Sequence, residues 1–278
     1  MSERSGAGVA GAVESTGPGG QPIRTFGVGL SAESLALAWA RQGDAPAGAT
    51  VLVERELSAR GRNGRLWAVN RFAAEIDEGA GKQVPHGGGV VGADPSADRR
   101  TLAFSVVLRP SLAAEDADAV WLAIGTAIVD GVKLVADREL VTWWPDSVID
   151  PDSGDEVAMV KADIQLGPGQ VRSAVVTTRI DLDRIDVEPG GERALMDAVL
   201  TALERSAADL SDDPGLVAAA YESRCRLIGQ RVKATLLPRG ESRGIVKAVD
   251  RMGRLRLESG TGMVERITIN QLRVLVPA

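Results

Sequence analysis

One cysteine, one histidine and no surplus of positive charge are found among 278 residues, and each scarcity removes a class of function. Cys225 alone cannot close an internal disulfide. With His86 it cannot supply the ligands of a zinc site built on His and Cys, although a carboxylate-bound magnesium stays open. The formal net charge of -6 argues against broad, sequence-independent nucleic-acid binding, which draws its affinity from a basic surface. No stretch approaches the roughly 20 apolar residues that span a bilayer. Residues 1–21 are Gly, Ser, Ala and Glu without the apolar core of a signal peptide. These absences predict a cytoplasmic protein without a membrane segment and with a disordered tail over residues 1–22. That tail is too polar and glycine-rich to build a helix-turn-helix, so no DNA-binding domain is expected.

What remains is ordinary globular composition, 44% hydrophobic and 25% charged, enough for one large domain and a small one. Residues 31–41 are helix formers behind a serine, with Leu35 and Trp39 four apart on one face. Residues 50–54 form a compact apolar strand, and residues 57–65 carry two glycines and three arginines, which rules out regular structure. Residues 68–100 show little periodicity and a cluster at Gly87, Gly88 and Gly89, which predicts a long loop insertion. A strand over 101–110 precedes a helix over 113–135, where Val120, Trp121, Ile124, Ile128 and Val132 recur at three- and four-residue spacing. Residues 140–144, 157–166 and 171–182 read as strands joined so tightly that neighbours are antiparallel. Helices over 192–210 and 214–227 follow, the second opening on Pro214. From residue 229 the period changes to short alternating strands, 232–236, 244–249, 254–257 and 264–276. The expected fold class is α+β: a mixed, mostly antiparallel sheet flanked by helices over residues 23–228, then a small SH3-like β-barrel over 229–278.

The segment Arg60-Gly-Arg-Asn-Gly-Arg65 gathers three guanidinium groups on a backbone that glycines let approach a ligand, which suits a phosphate or carboxylate. An isolated Arg-Gly-Arg is more often a solvated basic loop or a minor-groove contact. Here the loop follows a buried strand ending in Glu54 and is closed by Trp67, which favours a folded anion site. Other candidates carry less. Gly79-Ala-Gly-Lys82 lacks the further glycine and the Ser/Thr of a P-loop, and His86 has no second ligand nearby. Cys225 reads as packing, which disfavours a thioester route. Of Trp143 and Trp144, one reads as core and the other as a pocket wall.

In these residues the chain resembles the biotin protein ligases, whose signature is a strand followed by Gly-Arg-Gly-Arg-x-Gly-Arg-x-Trp. This chain reads Ala59-Arg-Gly-Arg-Asn-Gly-Arg-Leu-Trp67, with one departure at Ala59. Leu102-Ala-Phe-Ser-Val-Val-Leu-Arg-Pro110 resembles the family's next strand, and Gly125-Thr-Ala127 lies in what resembles its next helix. Tyr221, Gly229-Gln-Arg-Val232, Gly244, Asp250 and Gly253-Arg-Leu255 are similar to landmarks of its C-terminal barrel. The resemblance implies a class II synthetase-like ligase fold whose members join biotin to ATP through an adenylate. The biotinyl group then passes to a lysine of a biotin carboxyl carrier domain. It implies that Arg60, Gly61, Arg62, Gly64, Arg65, Trp67 and Trp144 contact substrate or nucleotide and that Ser31 reads biotin's ureido group. Biotin, ATP and Mg are the implied substrates and cofactor if the chain is active, and a carrier domain or another protein is the implied partner. Monomer and homodimer both stay open.

The departures are as informative. Where the family has Lys-Trp-Pro-Asn-Asp, this chain has Trp143-Trp-Pro-Asp-Ser147. Against Lys-x-x-Gly-Ile-Leu-x-Glu stands Glu156-Val-Ala-Met-Val-Lys-Ala-Asp163, and against Gly-Ile-Gly-Leu-Asn stands Thr177-Thr-Arg-Ile-Asp181. Two lysines and two glycines are changed together. Losing a single preorganised charge-stabilising group costs about 10²- to 10³-fold in rate. The resemblance with these departures therefore implies biotinyl-adenylate synthesis lost or much reduced, with ligand or partner binding retained; the alternative is a divergent working ligase. Lys161 and Arg179 are the nearby cations that could substitute, and Lys161 is the candidate catalytic residue, expected to share a strand face with Asp163.

Overall fold

The computed structural model describes residues 11–64 and 100–278. In chain order these residues form β1 (Ala12–Thr16), β2 (Pro22–Gly29), α1 (Ala32–Gln42), β3 (Thr50–Glu56), β4 (Thr101–Leu108), α2 (Ala119–Ala136), β5 (Val141–Trp143), β6 (Ser147–Ile149), β7 (Glu156–Leu166), β8 (Val171–Asp181), α3 (Glu192–Asp212) and α4 (Pro214–Glu222). They continue through β9 (Arg231–Leu236), β10 (Glu241–Val249), β11 (Leu255–Glu258), β12 (Val264–Ile267) and β13 (Leu272–Pro277). Among the described residues, eight strands make one sheet in the order β1-β2-β3-β4-β8-β7-β6-β5, and five make a second in the order β12-β11-β10-β9-β13. β2 and β3 pair in parallel and the other neighbours are antiparallel. The α+β class with a separate C-terminal antiparallel sheet is therefore as the sequence predicts.

The two faces of the large sheet are set by strand alternation. Phe104, Val106 and Leu108 of β4 point into the main core with α2, α3 and α4, while Val107 between them points at α1. α2 has the length and apolarity of a membrane-crossing helix, but most of it is buried in this core, with Val120, Ile124 and Ile128 fully covered. α1 lays Ala36, Trp39 and Ala40 on Val51, Val53, Val107 and Val175. It begins at Ser31, whose hydroxyl oxygen accepts from the Ser34 N–H at 3.1 Å, and ends at Gly43 with φ +88°.

Several expectations are corrected. Part of the span read as a disordered tail, residues 1–22, is a strand: β1 pairs with β2 from Ala12↔Phe26 to Thr16↔Pro22. An edge strand is held by backbone pairing and needs few apolar side chains, so composition alone does not reveal it; Val13 is 69% exposed. The helix expected from residue 113 starts at Ala119, because Ala114–Asp116 takes a separate 3-10 turn. The helix expected to reach residue 227 stops at Glu222, and Cys225 instead bridges to Thr142. The strand expected over 264–276 is broken by a turn at Ile269–Gln271, capped by Thr268. The insertion read over 68–100 lies, apart from Arg100, outside the described residues, as do His86 and Lys82.

The second sheet is seated on the first domain by specific contacts. Trp144 Nε1 donates to the Gly253 carbonyl at 2.9 Å. Gly253 itself is required by space, since a Cβ there would lie 2.7 Å from the Asp118 backbone. Arg251 pairs with the buried Asp116 at 2.9 Å, and the Glu222 carboxylate accepts from the Val249 N–H at 2.9 Å.

Candidate functional site

The start of α1 stands over strands that turn polar beyond the apolar patch. Ser105 of β4 and Thr177 of β8 are register partners whose hydroxyls meet at 2.8 Å. Lys161 of β7 is the next partner of Thr177 across the sheet. Its ammonium donates a short hydrogen bond to Glu33 in the first turn of α1 and lies 3.2 Å from Asp163. The shared strand face of Lys161 and Asp163 is as expected from their spacing. What the sequence did not show is Glu33, which makes the lysine one cation between two carboxylates.

Electrostatics follow from that packing. Burial, reinforced by a hydrogen bond with Asp163 and opposed by Lys161, pushes the Glu33 carboxyl up to about 7. Asp163 is held below the ordinary carboxylate value by the same Glu33 hydrogen bond, against its own burial. Burial opposes the charge of Lys161, but the Glu33 hydrogen bond and the two nearby carboxylates outweigh it and raise its pKa. Beside them Glu56 accepts from the Ala32 N–H at 2.7 Å, and its burial raises its pKa against that bond. Arg179, on the face of β8 that carries Thr177, acts on Glu56 by charge.

The arginine loop is only partly a ligand loop. Arg62 is buried: Nε donates to Asp146 Oδ2 at 3.0 Å, with 5% and 4% of the two side chains exposed, and Nη1 donates to the Leu272 carbonyl. Asn63 also reaches that carbonyl, at 3.4 Å. The expected role of Arg62 as an open anion ligand is thereby corrected, because two of its nitrogens fasten the loop to the β5–β6 turn and to the C-terminal sheet. Its Nη2 is buried without a hydrogen-bond partner. Arg60 is exposed and donates to the Gly64 carbonyl at 3.1 Å; Gly61 is buried, and Gly64 has φ +72°, which a glycine accommodates without strain. Arg65 and Trp67 lie outside the described residues.

Other expected residues are placed as follows. Ser31 is buried and caps α1. Trp144 is wholly buried with its N–H spent on Gly253, so it is core and not the pocket contact expected. Glu156, aligned with a family lysine, accepts from Ser147 at 2.6 Å, and Ser147 is the residue aligned with a family aspartate. Burial pushes the Cys225 thiol up to about 11, which leaves it protonated and unsuited to nucleophilic work. Among the described residues no three His, Cys, Asp or Glu side chains converge to hold a metal. Of the residues to which sequence reasoning gave no role, Glu33 left a signal in its place two residues after the cap, and Asp146 one in its place within Trp143-Trp-Pro-Asp-Ser147.

Residues 227–271 match the family described as Biotin protein ligase C terminal domain. Among solved structures, the biotin protein ligase from Aquifex aeolicus in complex with biotin and ATP aligns with 92% of this chain and 99% of its own, at 14% identity and a TM-score of 0.67. A biotin protein ligase-like protein of unknown function from Silicibacter sp. TM1040 aligns with 92% of this chain and 96% of its own, at 14% identity and a TM-score of 0.62. The biotin acetyl coenzyme A carboxylase synthetase from Helicobacter pylori with bound biotinylated ATP covers 88% and 98%, at 13% identity and a TM-score of 0.55. No curated protein gives a significant sequence match.

Proposed function

Because this chain has the biotin protein ligase fold and carries that family's C-terminal domain, we propose that it binds a ligand or protein partner at the α1 and arginine-loop end of its large sheet, with biotinyl-adenylate synthesis lost or much reduced. One observation carries the reading: two of the cations placed there, Lys161 and Arg62, are already paired with the protein's own carboxylates. Lys161 lies between Glu33 and Asp163, Arg62 is paired with Asp146, and Glu156 stands where a lysine aligns.

Adenylation brings a carboxylate against a phosphate, so its transition state requires a surplus of positive charge fixed in advance. A lysine already held between two carboxyl groups offers little of that surplus. Releasing it would leave Glu33 and Asp163 half-buried without a counter-charge, a cost the incoming anion would have to offset. Arg62 is buried in the fold, whereas Arg60 is exposed at the loop's surface. A single exposed guanidinium of this kind suits holding an anionic or strongly accepting group in place, which is binding without transformation. The family points to a biotin carboxyl carrier domain as the partner to try first, and to biotin and ATP as the ligands.

The test is pyrophosphate release from ATP with biotin, followed by label transfer to a carrier domain, run beside calorimetric titration with biotin, with ATP and with both. Binding without turnover is the expected result. Turnover that Lys161→Ala abolishes would overturn it and make the chain a ligase with a relocated lysine.

A further inference from the structure

The C-terminal sheet and the rest of the chain carry opposite charge. Residues 229–278 hold ten Arg and Lys against four Asp and Glu, a net +6 in a chain whose total is -6, so residues 1–228 carry -12. The inner side of the sheet is core, with Leu255, Leu257 and Ile267 buried, and strand alternation therefore turns Arg256 and Arg266 outward. These two are register partners on β11 and β12. Like charges set directly opposite each other are destabilising. The other such pair on this sheet, Lys233 and Arg243, is relieved by Glu241, which lies 2.6 Å from the first and 3.4 Å from the second. Arg256 and Arg266 have no ion pair among the described residues. Stability does not explain a doubled positive charge at this place.

The opposite charge gathers past the far end of α2. Residues 137–139, 150–155 and 181–188 contain nine Asp and Glu against two Arg. Arg138 joins Asp150 to Asp186, and Arg184 joins Asp155 to Asp181, which makes the three segments one surface. Asp152 and Glu188 stand exposed in it without an ion pair among the described residues. α2 fixes the separation of the two patches. Gly253 of the C-terminal sheet packs on the Asp118 backbone at the start of the helix, and Asp137 caps its end, 18 residues and roughly 27 Å away. One molecule therefore cannot lay its arginine pair on its own acidic end, but a second molecule can.

Nucleic acid fits the face less well. Residues 229–278 contain no Phe, Trp or Tyr, so single-stranded bases would find nothing to stack on. A duplex longer than the face would run against the negative charge of the remainder. We propose that the outer face of the C-terminal sheet docks on the acidic end of a second copy of this chain, head to tail. Such a contact joins two different patches, so it builds rings or chains of molecules, and it rests on exposed charge, so salt dissolves it.

The test is sedimentation velocity of the full chain. At about 20 mM salt the mean mass should rise with protein concentration, and at about 0.5 M, where charges are screened within roughly 4 Å, it should be that of the monomer. Arg256→Glu with Arg266→Glu should weaken association about tenfold, and Asp152→Lys with Glu188→Lys should do the same. Mixing the two variants should restore a salt-sensitive pair, since the acidic end kept by one meets the basic face kept by the other. Misfolding cannot produce that recovery. If the glutamate variant does not fold, Arg256→Gln with Arg266→Gln takes its place. A parent chain that stays monomeric at low salt, including one that retains duplex DNA instead, would overturn the proposal. So would variants that associate as the parent does, or a mixture that stays monomeric.

Discussion

The two faces of the large sheet are built on different terms. Under α2, α3 and α4 the face is mostly apolar, with Phe104, Val106, Val176 and Ile180 packed against fully buried helix residues. Under α1 it is apolar at Val51, Val53, Val107 and Val175; beneath the helix's first turn it gives way to Ser105, Thr177, Lys161, Asp163 and Arg179. Burying charge is costly, and well-packed apolar residues would be as stable or more so. Stability therefore accounts for the first face and leaves the second unexplained. Partly buried ionisable groups whose pKa values are pushed apart, as those of Glu33 and Asp163 are, are the kind of feature that gathers at binding and catalytic sites.

The largest effect that would sharpen this contrast is at Arg62. Removing one partner of a buried ion pair leaves the other charge uncompensated, so Arg62→Ala should cost about 3–5 kcal/mol in urea denaturation. Pairing Arg62→Met with Asp146→Leu should cost less, because no charge is left behind. On the apolar face, Ile128→Ala should cost about 2–5 kcal/mol from lost burial and the cavity it leaves. It should leave ligand binding at the arginine-loop end unchanged. If Ile128→Ala altered that binding as strongly as Arg62→Ala does, the two faces would not be separable.

A smaller effect is expected from pH. Below an ordinary value of 4.5 Glu33 carries its proton whether the chain is folded or not. Between 4.5 and about 7 the folded protein keeps the proton that the unfolded chain has released, so this group's contribution to stability falls as pH rises through that window and levels off above it. Asp163 has the opposite sense, since its lowered pKa adds stability above its ordinary 3.8. Glu33→Gln should remove the falling slope between 4.5 and 7, read from denaturation midpoints across that window. A slope unchanged in Glu33→Gln would mean that another group carries it.

How much of this was legible in the sequence follows the range of the interactions. The apolar repeat of α2 and the strand alternation are local, and local patterns gave the fold class and most element positions. The arginine loop was legible because its arginines and glycines are consecutive. The occupation of Arg62 was not, because its partners Asp146 and Leu272 are 84 and 210 residues away. Lys161 and Glu33 are 128 residues apart, so a lysine that reads as a spare cation is in fact shared. Trp144 was misplaced for the same reason, its partner Gly253 being 109 residues on. β1 escaped notice because backbone pairing has no composition.

The smallest effect on stability is the one that tests the loop most directly. Arg60 differs from Arg62 by two positions and by its surroundings: it is exposed, and among the described residues its guanidinium donates to the Gly64 carbonyl of its own loop. An exposed side chain without a buried partner is worth little to folding, so Arg60→Ala should change stability by less than about 0.5 kcal/mol. Its guanidinium nevertheless retains donors for an anion, so the same variant should weaken binding of ATP, pyrophosphate or whichever anionic ligand the calorimetry finds, by about tenfold for one charge-assisted hydrogen bond. The two readouts together discriminate. Loss of binding with stability intact makes Arg60 the ligand-facing half of the loop and Arg62 the anchoring half. Loss of stability comparable to Arg62→Ala would make the loop structural throughout and would withdraw it from the site. Arg60→Lys sharpens the result further, since a lysine keeps the charge but not the planar fork, and partial rescue would assign the remainder to geometry.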